Sequence, residues 1–358
     1  MYEKKHNQGL EMNNPPQKKK TLFIVFLSLT ISLAMVSSLS HASIFAKGET
    51  ESYESFDDYF DDPAIWVTKN PENSLIFGTH KKEGVFIYNL EGKLKHIIKM
   101  KKTNNIDVFT GPGRQGGLIE GAVLSIKGKG FQLFTLSESF PYLKKDSPVI
   151  KTKVKSYGVC SMVFKSDLHI TVTGKKGNAQ VFVYQKSDDG WELKNKQILR
   201  VEEKNEGCVF NQKNGDLFIA EESRGLWKYK KTQYGYRNKK LIAEIPQFDL
   251  AADLEGMAIY DAGGIEFLIV SVQSKNQFAV FDLYGSHSYK GRFSIKGSEG
   301  VDGVTHTDGI TSTSLNLGPL YPMGLFIVQD DENYDSEKTF KGQNFKLISW
   351  DTILSQFN

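Results

Sequence analysis

Acidic side chains recur in this sequence just ahead of apolar segments: Asp62 before PAIWV, Glu206 before GCVF, Glu255 before GMAIY and Asp308 before GI. Others stand close by, namely Asp61, Glu221, Glu222, Asp253, Asp302, Asp330, Asp331 and Glu332. Gathered at one place, such groups do not all stay ionised without compensation, because like charges raise one another's pKa. A bound cation compensates them. The donors are hard oxygens, with the amides of Gln273 and Asn333 among them and no cluster of His or Cys, which suits calcium rather than zinc or copper. Taken singly, each acid reads as a solvated loop charge, and Asp57 and Asp58, which fall out of phase, keep that reading.

The basic residues show a matching pattern. Lys81 and Lys82, and likewise Lys175 and Lys176, occupy equivalent polar turns, and Lys127 lies in a glycine-containing turn, SIKGKG. Alone, each is a solubilising turn lysine. Facing acids that hold cations, the set suits an anion that both contact, and phosphate fits. Other catalytic apparatus is missing. There is no G-x-S-x-G elbow, Walker A loop, H-E-x-x-H or paired C-x-x-C. Neither cysteine is followed by the arginine of a cysteine-dependent phosphatase, and no Arg-His-Gly signature occurs. His80 and His306 stand singly and read as solvated or core histidines.

What must position these residues is a repeat. Apolar strand, polar turn and aromatic-rich strand recur as LIFGTHKKEGVFIYNL (75–90), HITVTGKKGNAQVFVYQK (169–186), LFIAEESRGLWKYK (217–230) and FLIVSVQSKNQFAVFDLYG (267–285). Ahead of such hairpins a polar residue leads into a further apolar strand, at 62, 105, 157, 206, 255 and 308. Six such elements at about fifty residues each point to an all-β, six-bladed β-propeller with four-stranded antiparallel blades around a central channel. A β-sandwich gives no reason for the even spacing. First strands of a propeller line the channel in one direction, so Asp62, Tyr157, Glu206, Glu255 and Asp308 are expected to meet at one mouth.

Residues 1–20 are polar and end in Lys18, Lys19 and Lys20; residues 21–39 are apolar and uncharged; Ser40, His41 and Ala42 follow. That order is the pattern of a secretory signal peptide over 1–42. A retained anchor is the alternative, since the apolar run is near spanning length. Either way a single domain over 43–358 is expected outside the cytoplasm, secreted or periplasmic. Removing the leader takes away five lysines and two glutamates and brings the net charge from +3 to zero. Nothing then points to nucleic acid or a membrane, and a monomer is expected. Cys160 and Cys208 follow similar motifs at offsets that differ by one. An odd offset points strand side chains to opposite faces, so two buried free thiols are expected, although export would permit a disulfide.

Taken in order, DDPAIWV (61–67), NSLIFGTHKKEGVFIYNLEGK (73–93), NNID (104–107), TGKKG (173–177), NEGCVFNQKNGDLFIAEE (205–222), DLEGMAIY (253–260), SVQSKN (271–276), VDGVTHTDGI (301–310), LGPLYPMGLFIVQDDEN (317–333) and GQNFKLISW (342–350) resemble the β-propeller phytases, the Bacillus-type alkaline phytases. The resemblance runs from residue 61 to the end. It implies a calcium-dependent phosphoric monoester hydrolase of the 3-phytase type, acting on phytate (myo-inositol hexakisphosphate), presented as its calcium complex. Residue by residue, it implies that Asp62, Glu206, Glu222, Asp253 and Glu255 are catalytic acids and, with Gln273 and Asp308, ligate calcium at the active mouth. Asp302, Asp330, Glu332 and Asn333 would surround further calcium ions. Lys81, Lys82, Tyr157 and Lys175 would contact substrate phosphates. Lys127 stands roughly where the family has an arginine, which loses a bidentate phosphate contact; His306 replaces a family acid and Asp331 a glycine. The reaction implied is metal-assisted hydrolysis, with water held between calcium ions attacking phosphorus in line with the leaving inositol oxygen and no covalent enzyme intermediate. The alternative is a non-catalytic exported propeller that binds calcium and presents a surface to a ligand or protein. A propeller lactonase is a third reading, but its motifs do not occur here.

Overall fold

The computed structural model describes residues 41–53, 59–114, 116–298 and 300–357. The expected leader through residue 40, and Asp57 and Asp58, lie outside them.

Segments such as Leu217–Glu221 (LFIAE) and Leu325–Asp330 (LFIVQD) are buried along their whole length. Short continuous apolar runs of this kind suit strands covered on both faces. The outermost strands differ. Gly190–Leu199 (GWELKNKQIL) is mostly exposed, and its composition is correspondingly polar. This gradient orders each sheet from channel to rim, and the result is six four-stranded antiparallel blades, the expected propeller. The innermost strands are Phe60–Trp66, Thr103–Pro112, Ser156–Phe164, Asn205–Phe210, Leu254–Ala262 and Ile310–Thr313. Each contacts the next, and the sixth returns to the first.

Residues near the N-terminus close the ring. Gly48–Glu49 pairs antiparallel with Asn344–Ser349 and becomes the fourth strand of the sixth blade. His41–Phe45 adds a parallel fifth strand to the fifth blade, along Tyr289–Lys296. Its first two residues fall within the stretch read as leader.

The buried apolar side chains sort into six clusters among the described residues, one between each pair of neighbouring blades. Phe77 and Val85 meet Leu124 and Phe134 between the first two blades, for example, and Phe60 and Phe86 meet Leu325 and Phe345 between the first and the last. Both faces of each blade therefore face a neighbour.

That geometry corrects the expectation of two free thiols. Cys160 and Cys208 form a disulfide, with Cα atoms 5.8 Å apart. The odd offset does put them on opposite faces of their respective blades. Neighbouring blades, however, pack front to back, so opposite faces are the ones that meet. Cys160 and Met162 face the fourth blade, where Cys208 and Phe210 face the third, while Val159 faces the second.

Candidate active site

Five of the six innermost strands begin with a β-bulge. Pairing with the second strand slips between Phe60 and Pro63, Thr103 and Ile106, Ser156 and Val159, Asn205 and Cys208, and Leu254 and Met257. A bulge re-aims the side chains on it. By this register the equivalent positions are Asp61, Asn104, Tyr157, Glu206 and Glu255, with Asp308 two residues ahead of the sixth strand. Asp61, rather than Asp62, shares the position of Glu206; Asp62 stands where the second blade carries Asn105 and the other four carry glycine.

Those glycines have a packing cause. The backbone carbonyl of Glu206 lies against Gly158, that of Glu255 against Gly207 and that of Asp308 against Gly256, each so close that a β-carbon would overlap it. The acid–glycine pairs legible in the sequence are thus one repeated device: each acid's carbonyl rests on the glycine of the preceding blade. The bulges are also pinned from the second strands. Thr79 Oγ1 donates to the carbonyl of Asn104, Thr173 Oγ1 to that of Glu206 (2.9 Å) and Ser271 Oγ to that of Thr307 (2.8 Å). Ser125 Oγ accepts from Asn105 N–H (2.9 Å) and Gln329 Oε1 from Asp308 N–H (2.9 Å).

A second ring comes from the turns between second and third strands. Lys81, Lys127, Lys175, Glu222, Gln273 and Asp331 open these turns. In every blade that residue donates its backbone N–H to a carbonyl ahead of the innermost strand, immediately before it in the first five blades and five residues before it in the sixth: Tyr59 (2.8 Å), Lys102 (2.8 Å), Lys155 (3.0 Å), Lys204 (3.1 Å), Asp253 (3.0 Å) and Thr305 (3.1 Å). The same scaffold therefore presents lysines from the first three blades and acids or an amide from the last three. One half of the mouth is basic and the other acidic.

At the acidic half, Glu206, Glu222 and Glu255 bring carboxylate oxygens within 4.8 Å of one another. All three are buried, and Glu222 Oε1, Glu255 Oε2 and Asp61 Oδ2 have no hydrogen-bond partner among the described residues. Burial, and then the charge of Asp61, pushes the Glu206 carboxyl up to about 8. Burial, followed by Glu206 and Glu222, holds Glu255 well above the carboxylate range. Glu222 is raised by burial in spite of Lys204, whose Nζ lies 2.6 Å from it. A buried hard-oxygen set in which Glu222 Oε1 and Glu255 Oε2 lack partners fits a divalent cation such as calcium. Asp62 is buried as well and is raised by burial and then by Asp61. Its Oδ2 accepts from Ile106 N–H (3.1 Å), and it lines a cavity of about 410 Å³ between the innermost strands.

Other expected residues join the rings. Asp308 bonds Gln273 Nε2 and lies 3.4 Å from Lys81 Nζ, which also reaches Asp61 at 3.0 Å. Asp253 sits on the exposed rim, close enough to raise Glu222. Tyr157 is hydrogen-bonded to Glu206, and Lys127 and Lys175 place their ammonium groups 4.9 and 5.2 Å from its ring centre. Lys82 turns outward over the Tyr59 ring (3.8 Å).

Asp302, Asp330 and Asn333 converge elsewhere, on the fully buried ammonium of Lys346. It contacts Asp302, Asp330 (3.1 Å), Asn333 (2.7 Å) and Glu49 (2.6 Å). Glu332 is exposed beside them. A divalent ion there would share its ligands with that ammonium. Two mouth residues escaped the sequence reading. Asn104 donates from Nδ2 to Glu206 Oε1; its signal was its place in the NNID segment, in phase with the acids. Lys204 also escaped, although it occupies the position of Asp253, one residue ahead of an innermost strand.

The family model for phytases matches residues 18–358. A 3-phytase from Bacillus subtilis (strain 168) is 32% identical over 344 residues, covering 92% of this chain and 90% of that protein. Among solved structures, BBS1N from its crystal in complex with ARL6DN, soaked with mercury, is similar with a TM-score of 0.44 and 12% identity, covering 76% of this chain and 74% of that one.

Proposed function

Because the chain belongs to the phytase family, we propose that it hydrolyses phosphate monoesters of phytate, bound as its calcium complex, at the two-sided channel mouth, and that it does so as a calcium-dependent monomer outside the cytoplasm. The observation that carries this reading is the placement of Lys81 against Asp61, and of Lys127 and Lys175 over the ring of Tyr157, which bonds Glu206, at the mouth where Glu206 meets the buried, partnerless carboxylate oxygens of Glu222 and Glu255.

Glu206, Glu222 and Glu255, with Asp62, Asp253, Gln273 and Asp308 around them, would hold calcium, which would supply positive charge and Lewis acidity at the scissile phosphate. The chain's own residues do the rest. Lys127 and Lys175 bind phosphate oxygens beside Tyr157, and Lys81 does so between Asp61 and Asp308. Gripping the scissile phosphate and a neighbouring one at once orients the first for attack and favours phytate over simple monoesters. Asn104 and Tyr157 hold Glu206 in place by hydrogen bonds. The attack is by water, without a covalent enzyme intermediate.

The test is release of inorganic phosphate from phytate in calcium and in chelator. Release should require calcium, and Glu206→Ala and Asp62→Ala should abolish it with the fold retained. Near-normal release from either variant overturns the assignment of residues. No release from the parent protein in calcium leaves a non-catalytic calcium-binding propeller as the better reading.

A further inference from the structure

Lys204 brings a cation into the middle of the acidic half. Its Nζ lies 2.6 Å from Glu222 Oε2 and 3.7 Å from Glu255 Oε1, two of the three carboxylates in the tight group. The same atom stands 5.2 Å from the centre of the Tyr157 ring, over which Lys127 and Lys175 also gather. An ion pair on a protein surface is ordinarily worth little. This one differs because its carboxylate partners are buried, 4% exposed each, while the lysine side chain is 38% exposed. The lysine is tied down through its backbone carbonyl, which accepts from Glu222 N–H. Its four-carbon stem leaves the compact ammonium able to move between partners.

The third blade's Lys155 and the fifth blade's Asp253 hold the position equivalent to Lys204. Lys204 therefore stands at the seam between the basic and acidic halves, with an acid pair on one side and an aromatic platform with two lysines on the other. From this geometry we propose that Lys204 is an exchangeable counter-ion: its ammonium balances Glu222 and Glu255, yields them to calcium, and then joins Lys127 and Lys175 over Tyr157 as a third cation for substrate phosphate. The inference rests on the calcium reading given above. One positive charge must leave the carboxylates before a divalent ion can use them, so Lys204 sets the calcium concentration at which the mouth fills. Repulsion between like charges at this separation is substantial even near a surface.

The experiment is calorimetric titration of calcium into the full chain, with Lys204→Gln and Lys204→Arg alongside, followed by steady-state kinetics on phytate at saturating calcium. Lys204→Gln should bind calcium about tenfold more tightly, because the competing charge is gone. Lys204→Arg keeps the charge and should titrate like the parent. With calcium saturating, Lys204→Gln should show a KM for phytate raised several-fold and a kcat changed much less. Calcium affinity in Lys204→Gln equal to or weaker than the parent's overturns the exchange, and an unchanged KM overturns the phosphate contact. A parent that binds no calcium and releases phosphate equally well in chelator defeats the calcium reading itself, and the exchange falls with it. A parent that binds calcium beside an unchanged Lys204→Gln defeats the exchange alone.

Discussion

The backbone carbonyl of Glu255 rests on Gly207, one blade earlier, with no room for a β-carbon between them. Alanine at 207 must either push the fourth and fifth blades apart or tilt that carbonyl, and either shift moves Glu206 and Glu255 together. Gly207→Ala should cost about 1–3 kcal/mol of stability, the usual range for overpacking a tight contact. Loss of phosphate release should be larger, since about 1 Å of misplacement at a reacting centre can cost roughly a hundredfold. Gly48 has nothing within 4 Å of where its β-carbon would sit, so Gly48→Ala serves as the neutral control. Thermal melts and phosphate release measured side by side decide the matter, and parent-like activity in Gly207→Ala would refute it.

The bridge between Cys160 and Cys208 spans 48 residues and ties the innermost strands of the third and fourth blades just below Tyr157 and Glu206. In the chain-entropy view a loop of that length stabilises by about 4 kcal/mol. Replacing both cysteines with serine should lower the melting temperature by several degrees. Reductant should lower that of the parent and leave the double variant unmoved. Equal melting of parent and double variant, with and without reductant, would mean the bridge contributes nothing.

The blade count was legible because each blade repeats strand, turn and strand at a fixed spacing, and because burial on both faces makes runs such as LFIAE and LFIVQD conspicuous. The gathering of acids was legible from direction alone, since all first strands start at one mouth. Register was not. DDP at 61–63 does not say which aspartate matches Glu206; only the slipped pairing with the second strand does. Nor does alternation within one strand say what meets across two blades, and the pairing of Cys160 with Cys208 is set there. The family resemblance makes Asp302, Asp330 and Asn333 ion ligands, but the sequence holds no sign that Lys346 lies between them. Lys204, in the run EEKNEG, carries no local sign that folding brings Glu222 and Glu255 against it.

His80 shows how a residue outside both rings sets the position of one within them. It is buried among Tyr53, Tyr59, Phe60 and Phe86, and burial lowers its pKa to about 4. Neutral, it accepts at Nδ1 from the backbone N–H groups of Lys82 (3.3 Å) and Glu83 (3.1 Å), which fixes the turn that carries Lys81. Leucine at 80 would keep the apolar contacts and strand both donors, at about 1–2 kcal/mol. His80→Leu should raise KM for phytate several-fold with a smaller effect on kcat, and His80→Asn, which restores an acceptor, should recover much of it. Steady-state kinetics on the three proteins would expose an idle histidine as an unchanged KM in the leucine variant.

Asp107 supplies a pH dependence separable from the mouth. It lines the cavity between the innermost strands, where its carboxylate accepts from Ser161 N–H (2.6 Å), Ser161 Oγ (2.9 Å) and Val108 N–H (2.8 Å). Burial outweighs these bonds and raises its pKa from 3.8 to about 6. Folding then favours the protonated acid. Its stabilising contribution is complete below about pH 4 and is lost as pH rises through about 6, because across that interval the unfolded chain has released a proton that the native protein still holds. Asp107→Asn keeps an acceptor for Ser161 and cannot ionise. Relative to the parent it should gain stability between pH 4 and 7, on the order of 2 kcal/mol once water in the channel is allowed for. Urea midpoints for both proteins across that range measure the difference directly. Parallel curves would place the ionisation of Asp107 outside this window and return its carboxylate to ordinary behaviour.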